Sequence, residues 1–511
     1  MRLGVDFGTS RTTVAYVDRG NYPVVSFEDS NGDLHEHIPS VVTLKDNTLV
    51  FGHEAQDLAA QGYPSLRSFK RLLADPQITA STTVRIAHRD FFIVDIVTRF
   101  LHHVATQLRE SSSITSLCND DTLLEAAVGI PAHAHSGQRF MTIEAFRNAG
   151  WSVLSMVNEP SAAGFEYTHR HAGTLNSKRT TIMVYDLGGG TFDASIVSAQ
   201  GTQHEVIASR GHNMLGGDDF DILLAQMALR AASLSSADLT DMEWAQLVTH
   251  CCEVKESLHA NTRFMTLEVC GKIVTIPVTD FYEAATDLVD ETLATLTPLL
   301  HKSDEARFIL PENVAGVYVV GGGAELPLVS RILRTEYGRR VHRSPHASAS
   351  TAIGLAIAAD VEAGYTVRDT LARGMGVFRE ADYGDEVAFD CLLEPELRLN
   401  SHKEITVTRT YRAAHNIGYF RFIEYTRVDE TGVPRGEIAP LAEVFMPFHR
   451  NLQVGTIDLS CVPIERTSDG PLVQEKYHVD VHGIVSVEII DLDTGYTVRT
   501  SLLRDKSNTH A

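Results

Sequence analysis

Val184-Tyr185-Asp186-Leu187-Gly188-Gly189-Gly190-Thr191-Phe192-Asp193 is the stretch on which the fold turns. An apolar run ends in a carboxylate, three glycines and a hydroxyl follow, and a second apolar run at 194–197 leaves the loop. Glycine has no Cβ, so backbone N–H groups can close on a phosphate. Thr191 adds a donor, and the Asp can hold Mg²⁺ through water. The same plan opens the chain: Gly4-Val5-Asp6-Phe7-Gly8-Thr9-Ser10, then a strand-like run at 12–17. One such loop could be a mere tight turn. Two predict pseudo-equivalent halves gripping one polyphosphate from both sides. A third strand–glycine–helix element spans 317–333, with Gly321-Gly322-Gly323 at its centre. It lacks the GxGxxG spacing of a dinucleotide fold, and no Walker A loop is present.

The 511 residues predict more than one domain. Hydrophobic content of 43% and charged content of 22% are ordinary for a globular chain. The net charge of −22 disfavours nonspecific binding to nucleic acid or to an anionic membrane. A polyphosphate site in so acidic a chain needs Mg²⁺ and a few Lys or Arg as counter-charge. No apolar run of about 18 residues predicts a membrane span. The N-terminus is expected to enter a strand at once, and no signal peptide is expected. The six cysteines are scattered, which predicts a reducing cytoplasm rather than a disulfide framework.

Residues 1–200 alternate short strands with helical patterns at 66–73, 91–108 and 138–149, the last ending at Gly150 as a C-cap. A buried strand is expected at 123–130, and Pro160 suits the first turn of a helix opened by Glu159. Asp218 is expected to cap a helix through Phe220, Leu224 and Met227, with another helix at 243–258. Alternating elements imply an α/β architecture. After about residue 370 period-2 runs take over, at 405–409, 419–428, 455–464 and 477–481. His482-Gly483 reads as the turn of a hairpin. No C-terminal helical domain is expected.

The motif set resembles the heat-shock-70 (DnaK-type) chaperone family, within the wider actin–sugar-kinase superfamily of duplicated ATPase halves. The residues that carry the resemblance are GVDFGTS at 4–10, FKRLLADP at 69–76, IPAHAHSGQR at 130–139, VNEPSAAGFEY at 157–167, VYDLGGGTFD at 184–193, LGGDDFD at 215–221 and VVGGGAELPLV at 319–329. It runs from residue 1 to about 360 and more weakly to about 500. It implies a two-lobed actin-like (ribonuclease-H-like, duplicated) ATPase domain at 1–363, a linker at 364–376, and a lidless β-sandwich substrate domain at 377–511.

The resemblance also implies roles. Asp6 and Asp186 would hold Mg²⁺ through its waters, with Asp193 ordering that site. Gly8, Thr9, Ser10, Gly188, Gly189, Gly190 and Thr191 would contact phosphates. Lys70 would place the attacking water, and Glu159 would act as base or metal-site organiser. From the residues alone, Lys70 would be a solvated helix face and Glu159 a first-turn carboxylate stabilising the helix dipole. Gly216, Gly217, Asp218, Lys255, Gly321, Gly322 and Gly323 would complete the nucleotide pocket. Pro131 and Arg139 would relay nucleotide state. The implied cofactors are ATP or ADP with Mg²⁺, and K⁺ as an optional further cation. The implied partners are an extended polypeptide client, a J-domain co-chaperone and a nucleotide exchange factor, with no nucleic acid and no membrane. A slow, partner-stimulated ATPase is expected.

Three departures qualify this. The family clamps adenine between two arginines, and here those positions are Glu256 and Glu325. Losing two guanidinium faces removes cation–π stacking of about 0.5–2 kcal/mol each, so weaker, less base-selective ATP binding is expected. Arg11 beside the first loop is an added cation. The linker at 367–373 has few large apolar residues, which predicts differently tuned communication. His133 and His135 could suggest a metal pair, but a loop without a third ligand favours a plain turn. Two alternatives stay open: a nucleotide-regulated adaptor with little ATPase activity, and a small-molecule kinase of the same superfamily.

Overall fold

The computed structural model describes residues 1–502 apart from 133, 172–174, 177, 213, 303–307, 369–370, 372, 382–384, 396, 400–403 and 455–456. It divides into two compact units. One comprises Met1–Leu72, Thr83–Ala132 and Ala145–Val367; the other comprises Leu73–Thr82, His133–Glu144 and Arg368–Ala511.

The first unit contains two sheets built on one plan. In the first, Arg2–Phe7 runs parallel to Glu125–Ile130, which runs parallel to Ser152–Asn158, and Arg11–Tyr16 returns antiparallel on the other side. In the second, Thr181–Leu187 is parallel to Val314–Val320, which is parallel to Val341–Arg343, and Phe192–Gln200 returns antiparallel. The duplication read from the two loops is therefore a duplication of whole sheets. Thr181–Leu187 and Val314–Val320 are buried almost throughout, as central strands covered on both faces must be. Helix Ile93–Glu110 buries Ile93, Ile96, Val97, Phe100, Leu101, Val104 and Leu108 at the i, i+3, i+4 spacing. Phe100 meets Phe7 and Phe69, which ties the first loop's strand to the segment carrying Lys70.

The second unit contains a pair of four-stranded antiparallel sheets. Glu386–Leu393, Gly374–Ala381, Ile417–Val428 and Pro434–Pro447 make one; Ile405–Arg412, Leu472–Val479, Val485–Asp491 and Thr497–Ser501 make the other. Leu472–Val479 alternates buried and half-buried positions without a break, and its inner residues Val473, Tyr477 and Val479 join Phe420, Phe422 and Met446 in one core. The expected hairpin at 482–483 is present. Gly483 has φ +77°, and the Asp480 carboxylate accepts from His482 and Ile484 N–H groups.

Four expectations change. Residues 66–73 are not one helix: a strand Ser65–Arg67 ends at Ser68, whose φ of +53° no strand or helix continues through, and a 3₁₀ turn Phe69–Ala74 follows. Asp218 does not cap its helix. The N-cap is Gly216, whose N–H is accepted by Asp219, the residue three positions on. Helix 138–149 starts earlier, at Ser136. The run at 455–464 holds no strand among its described residues. Asp458 instead caps a 3₁₀ turn at Leu459–Cys461 by accepting from the Ser460 N–H. Gly150 sits at φ +88° just past its helix, as expected of a C-cap residue. Of the linker at 364–376, positions 369, 370 and 372 lie outside the described residues. Among the described residues no helix is long and apolar enough to cross a membrane.

Candidate nucleotide site

Both loops leave the end of a central strand, so each carboxylate comes from the strand's last turn outward. Asp6 is the penultimate residue of Arg2–Phe7, and Asp186 holds the same place in Thr181–Leu187. Asp193 lies directly across the hairpin from Asp186. The turns close differently: Gly8 N–H donates back to the Asp6 carbonyl at 3.0 Å, whereas Gly188 N–H donates forward to the Thr191 carbonyl at 3.0 Å.

The loops touch. A Cβ on Gly189 would sit 1.5 Å from Ser10 Oγ, and one on Gly190 would lie 2.6 Å from Thr9 Cγ2. The first turn of helix Gly217–Ala231 packs on the second loop, with Gly217 N–H donating to Gly188 O at 2.9 Å and Asp218 N–H to Gly189 O at 2.7 Å. Gly321, at φ +87°, presses on Asp186 and Leu187, and Gly323 lies against the Gly188 carbonyl. Gly216, Gly217, Gly321, Gly322 and Gly323 thus sit around the loops or beside Arg11.

Lys70 is not on a solvated face. It is 5% exposed, donates to Glu159 Oε1 at 3.0 Å and lies 5.4 Å from the Phe7 ring centroid. Glu159 opens helix Glu159–Arg170 with Pro160 beside it, as expected. Burial, then the charge of Glu159, pushes the Asp6 carboxyl up to about 7 and the Asp186 carboxyl up to about 8. Asp193 is raised well above its ordinary range for the same reasons. Lys70 opposes all three shifts. Four carboxylates and a single lysine make a region that calls for added positive charge.

Ser10 Oγ and Arg71 Nε are buried without a hydrogen-bond partner among the described residues. An orphaned hydroxyl and guanidinium N–H beside a glycine cradle and a carboxylate cluster suit a Mg²⁺-polyphosphate, so the residues present fit that group. Among the described residues no three His, Cys, Asp or Glu are close enough to ligate one ion directly; Asp6 and Asp186 are expected to act through water. Arg71 was missed in the sequence reading. Its guanidinium donates to Gly190 O at 2.5 Å and lies 3.6 Å from Asp219, inside the cradle. The signal was present, since Arg71 follows Lys70 in the quoted motif.

Lys255 donates to Gly217 O at 2.8 Å and pairs with Asp221 at 2.7 Å. Burial opposes its charge, yet Asp221 raises the ammonium's pKa on balance. Asp218 accepts from Ser68 Oγ at 3.0 Å. Arg11 forms an ion pair with Glu256, and its guanidinium carbon lies 3.5 Å from where a Cβ on Gly322 would stand. Glu325 lies 4.0 Å from Arg343.

Pro131 directly follows the strand Glu125–Ile130. Arg139 belongs to the second unit, is 4% exposed, and its charge acts on Glu424. Ser136 N–H and Oγ both donate to that carboxylate. Burial raises the Glu424 pKa against these bonds and against Arg373 and Arg139. His135 accepts from Gln138 N–H at 3.2 Å, and burial pushes it down to about 4. His133 lies outside the described residues.

Two sheets of one plan, each offering a phosphate loop to a shared cradle, define a two-lobed actin-like α/β fold followed by a β-rich part. The family model described as Hsp70 protein matches residues 2–373, and the chain belongs to the Hsp70 family. It is similar to a chaperone protein HscA homolog of Chromobacterium violaceum, 31% identical over 400 residues, covering 74% of this chain and 62% of that one. A second HscA homolog, from Cupriavidus taiwanensis, is 30% identical over 379 residues, covering 71% and 58%. A chaperone protein DnaK of Mycoplasmopsis agalactiae is 28% identical over 376 residues, covering 71% and 59%. The match thus spans about three-fifths of the length of these relatives.

Proposed function

We propose that this chain is an ATP-dependent chaperone that couples ATP binding and slow hydrolysis to the binding of extended polypeptide segments. The observation that carries the reading is the contact of Gly189 with Ser10, which joins two phosphate loops over one carboxylate cluster. In this reading residues 1–363 are the ATPase domain, 364–376 the linker and 377–511 the β-domain that takes the polypeptide. A J-domain co-chaperone, a nucleotide exchange factor and a cytoplasmic setting belong to it.

Mg²⁺, when bound, neutralises charge on the polyphosphate; K⁺ is an optional further cation. Asp6 and Asp186 would hold the Mg²⁺ through water, and Asp193, across the hairpin from Asp186, would order that site. Gly8, Thr9, Ser10, Gly188, Gly189, Gly190 and Thr191 bind phosphate oxygens, with Arg71 closing that side. Glu159 holds the Lys70 ammonium in place, and Lys70 orients water towards the γ-phosphoryl. Gly216, Gly217, Asp218, Lys255, Gly321, Gly322 and Gly323 wall the nucleoside side, and Pro131 and Arg139 relay its state. Such catalysis is positioning and electrostatics. ATP turnover with and without a peptide library tests it. Peptide stimulation that vanishes in Asp186→Ala and Lys70→Ala supports the chaperone.

The Arg11–Glu256 pair favours a second reading, a nucleotide-regulated adaptor. It predicts nucleotide binding without stimulation by any peptide.

A further inference from the structure

Two helices tie the halves of the first unit together, each reaching from one sheet to the other. Glu159–Arg170 follows strand Ser152–Asn158 of the first sheet and packs on Thr181–Leu187 and Phe192–Gln200 of the second. Ser350–Ala359 follows strand Val341–Arg343 of the second sheet and packs on Arg2–Phe7, Arg11–Tyr16 and Glu125–Ile130 of the first. The helices meet where a Cβ on Gly354 would stand 1.7 Å from the Ala162 carbonyl. One turn along each from that point stand Glu166 and Ser350.

Glu166 is fully buried, in a helix covered on every side from Glu159 to Thr168. A carboxylate taken out of water is costly unless it is paired and hydrogen-bonded. The partners of Glu166 come from three places. Tyr318 OH, on strand Val314–Val320 of the second sheet, donates to Oε2. Ser350 Oγ donates to the same oxygen at 3.1 Å. Arg170, one turn on and 35% exposed, forms an ion pair with Oε1. Tyr318 and Ser350 are fully buried as well. Burial, then the charge of Glu166, pushes the Tyr318 pKa up, so the hydroxyl stays a donor. An apolar side chain at 166 could slide against its neighbours. A carboxylate tied to two elements fixes one arrangement, because any other leaves its charge unmatched.

Each of these elements also ends at the cradle. The helix of Glu166 begins with Glu159, which holds Lys70. The strand of Tyr318 runs out at Val320, directly before Gly321. The helix of Ser350 presses on the strand of Asp6, where a Cβ on Gly4 would stand 2.1 Å from the Ala356 nitrogen. We infer that Glu166 is a positioning residue: its bonds to Tyr318 and Ser350 latch the helix pair in the arrangement that brings the two phosphate loops together, and so slow nucleotide release. This rests on the nucleotide reading of the cradle and names a control of that same site. Loosening the latch favours arrangements in which the loops stand apart.

Stopped-flow chase of a fluorescent ADP with Mg²⁺ from the full chain tests it. Tyr318→Phe/Ser350→Ala removes both hydroxyls and should speed release about 10-fold, the order expected for two hydrogen bonds, with association unchanged within about 2-fold. Ser350→Ala alone, should the double variant misfold, should give about 3-fold. Glu166→Gln keeps an acceptor oxygen for both hydroxyls and should release within about 2-fold of the parent. Amide hydrogen exchange in Glu159–Arg170 and Ser350–Ala359 should rise about 10-fold in the nucleotide-free double variant, with the second unit's sheets unchanged. A purely structural role would lower the melting temperature and leave release alone, and that result overturns the inference. Glu166→Gln releasing as fast as the double variant, or unchanged exchange in the two helices, also overturns it. If the parent binds no nucleotide, the nucleotide reading falls, and the exchange measurement alone decides whether Glu166 latches the helix pair.

Discussion

Arg11 and Glu256, 245 positions apart, form an ion pair beside Gly322. Both depart from the family pattern, and each answers the other's charge. Glu256 alone would set a carboxylate near a polyanion. We expect Arg11→Ala to weaken ATP binding about 10-fold and Glu256→Ala to strengthen it a few-fold. The double variant should lie near the parent, with a coupling of about 0.5–1 kcal/mol for so exposed a pair. Calorimetric titration of the four proteins at two salt concentrations measures this. Additive effects would mean that the pair does not act as a unit.

The carboxylate cluster sets a pH dependence. The Asp6 and Asp186 pKa values are raised to about 7 and 8, while an unfolded Asp is ionised above about 4. From pH 6.5 to 8.5 the folded chain therefore binds more protons than the unfolded one, and stability falls as pH rises. Without Mg²⁺ the loss over that range should be about 3 kcal/mol, from two titrating groups. Added Mg²⁺ should flatten the slope and release protons. Denaturant unfolding across pH, with and without Mg²⁺, reads it out; rising stability in the metal-free series would contradict the assignment.

Lys70 is the cation within the carboxylate cluster. Lys70→Ala leaves Glu159 unpaired and should destabilise the first unit by about 3 kcal/mol in addition to abolishing turnover. Glu159→Gln keeps a hydrogen-bond acceptor for Lys70 and should be milder in stability while still lowering turnover. Thermal unfolding and ATP turnover on both variants separate the two effects.

A Cβ on Gly189 would displace Ser10. Gly189→Ala should reduce nucleotide affinity at least 100-fold while leaving the β-rich unit folded. Fluorescent nucleotide titration and circular dichroism check it, and near-parent affinity would show that the loops need not touch.

Glu475 is buried and satisfied by Arg379, Tyr411 and Tyr477. Glu475→Leu should cost about 2–3 kcal/mol, because half-buried Arg379 would keep only Asp390 as a partner and the Tyr411 and Tyr477 hydroxyls would lose their acceptor. A two-transition melt in which the β-rich unit alone shifts would locate the loss.

Much of this was legible because the signals were local. A carboxylate, glycines and a hydroxyl at a strand's end dictate a loop wherever the chain goes, and both loops were found where the sequence put them. Lys70 was recognised through its neighbours, although only burial against Phe7 and Glu159 excludes a surface role. Arg71 stayed hidden because its value lies in reaching Gly190, 119 positions on. The cap of helix Gly217–Ala231 was assigned to Asp218, two residues past Gly216, since the sequence does not show which of two adjacent aspartates folds back on the Gly216 N–H. The period-2 pattern at 455–464 misled because Asp458 offers the backbone a competing turn. The Arg11–Glu256 pair is a long-range event that neither residue announces by itself.

The cradle is assembled from two sheets, and neither contains it. Ser10 without Gly189 is a loop with an idle hydroxyl, and Gly189 without Ser10 is a bare turn. On the proposed function, ligand capture would therefore work as a logical conjunction: affinity for nucleotide would register that both halves have folded and met, so a chain damaged in either half should be silent to ATP.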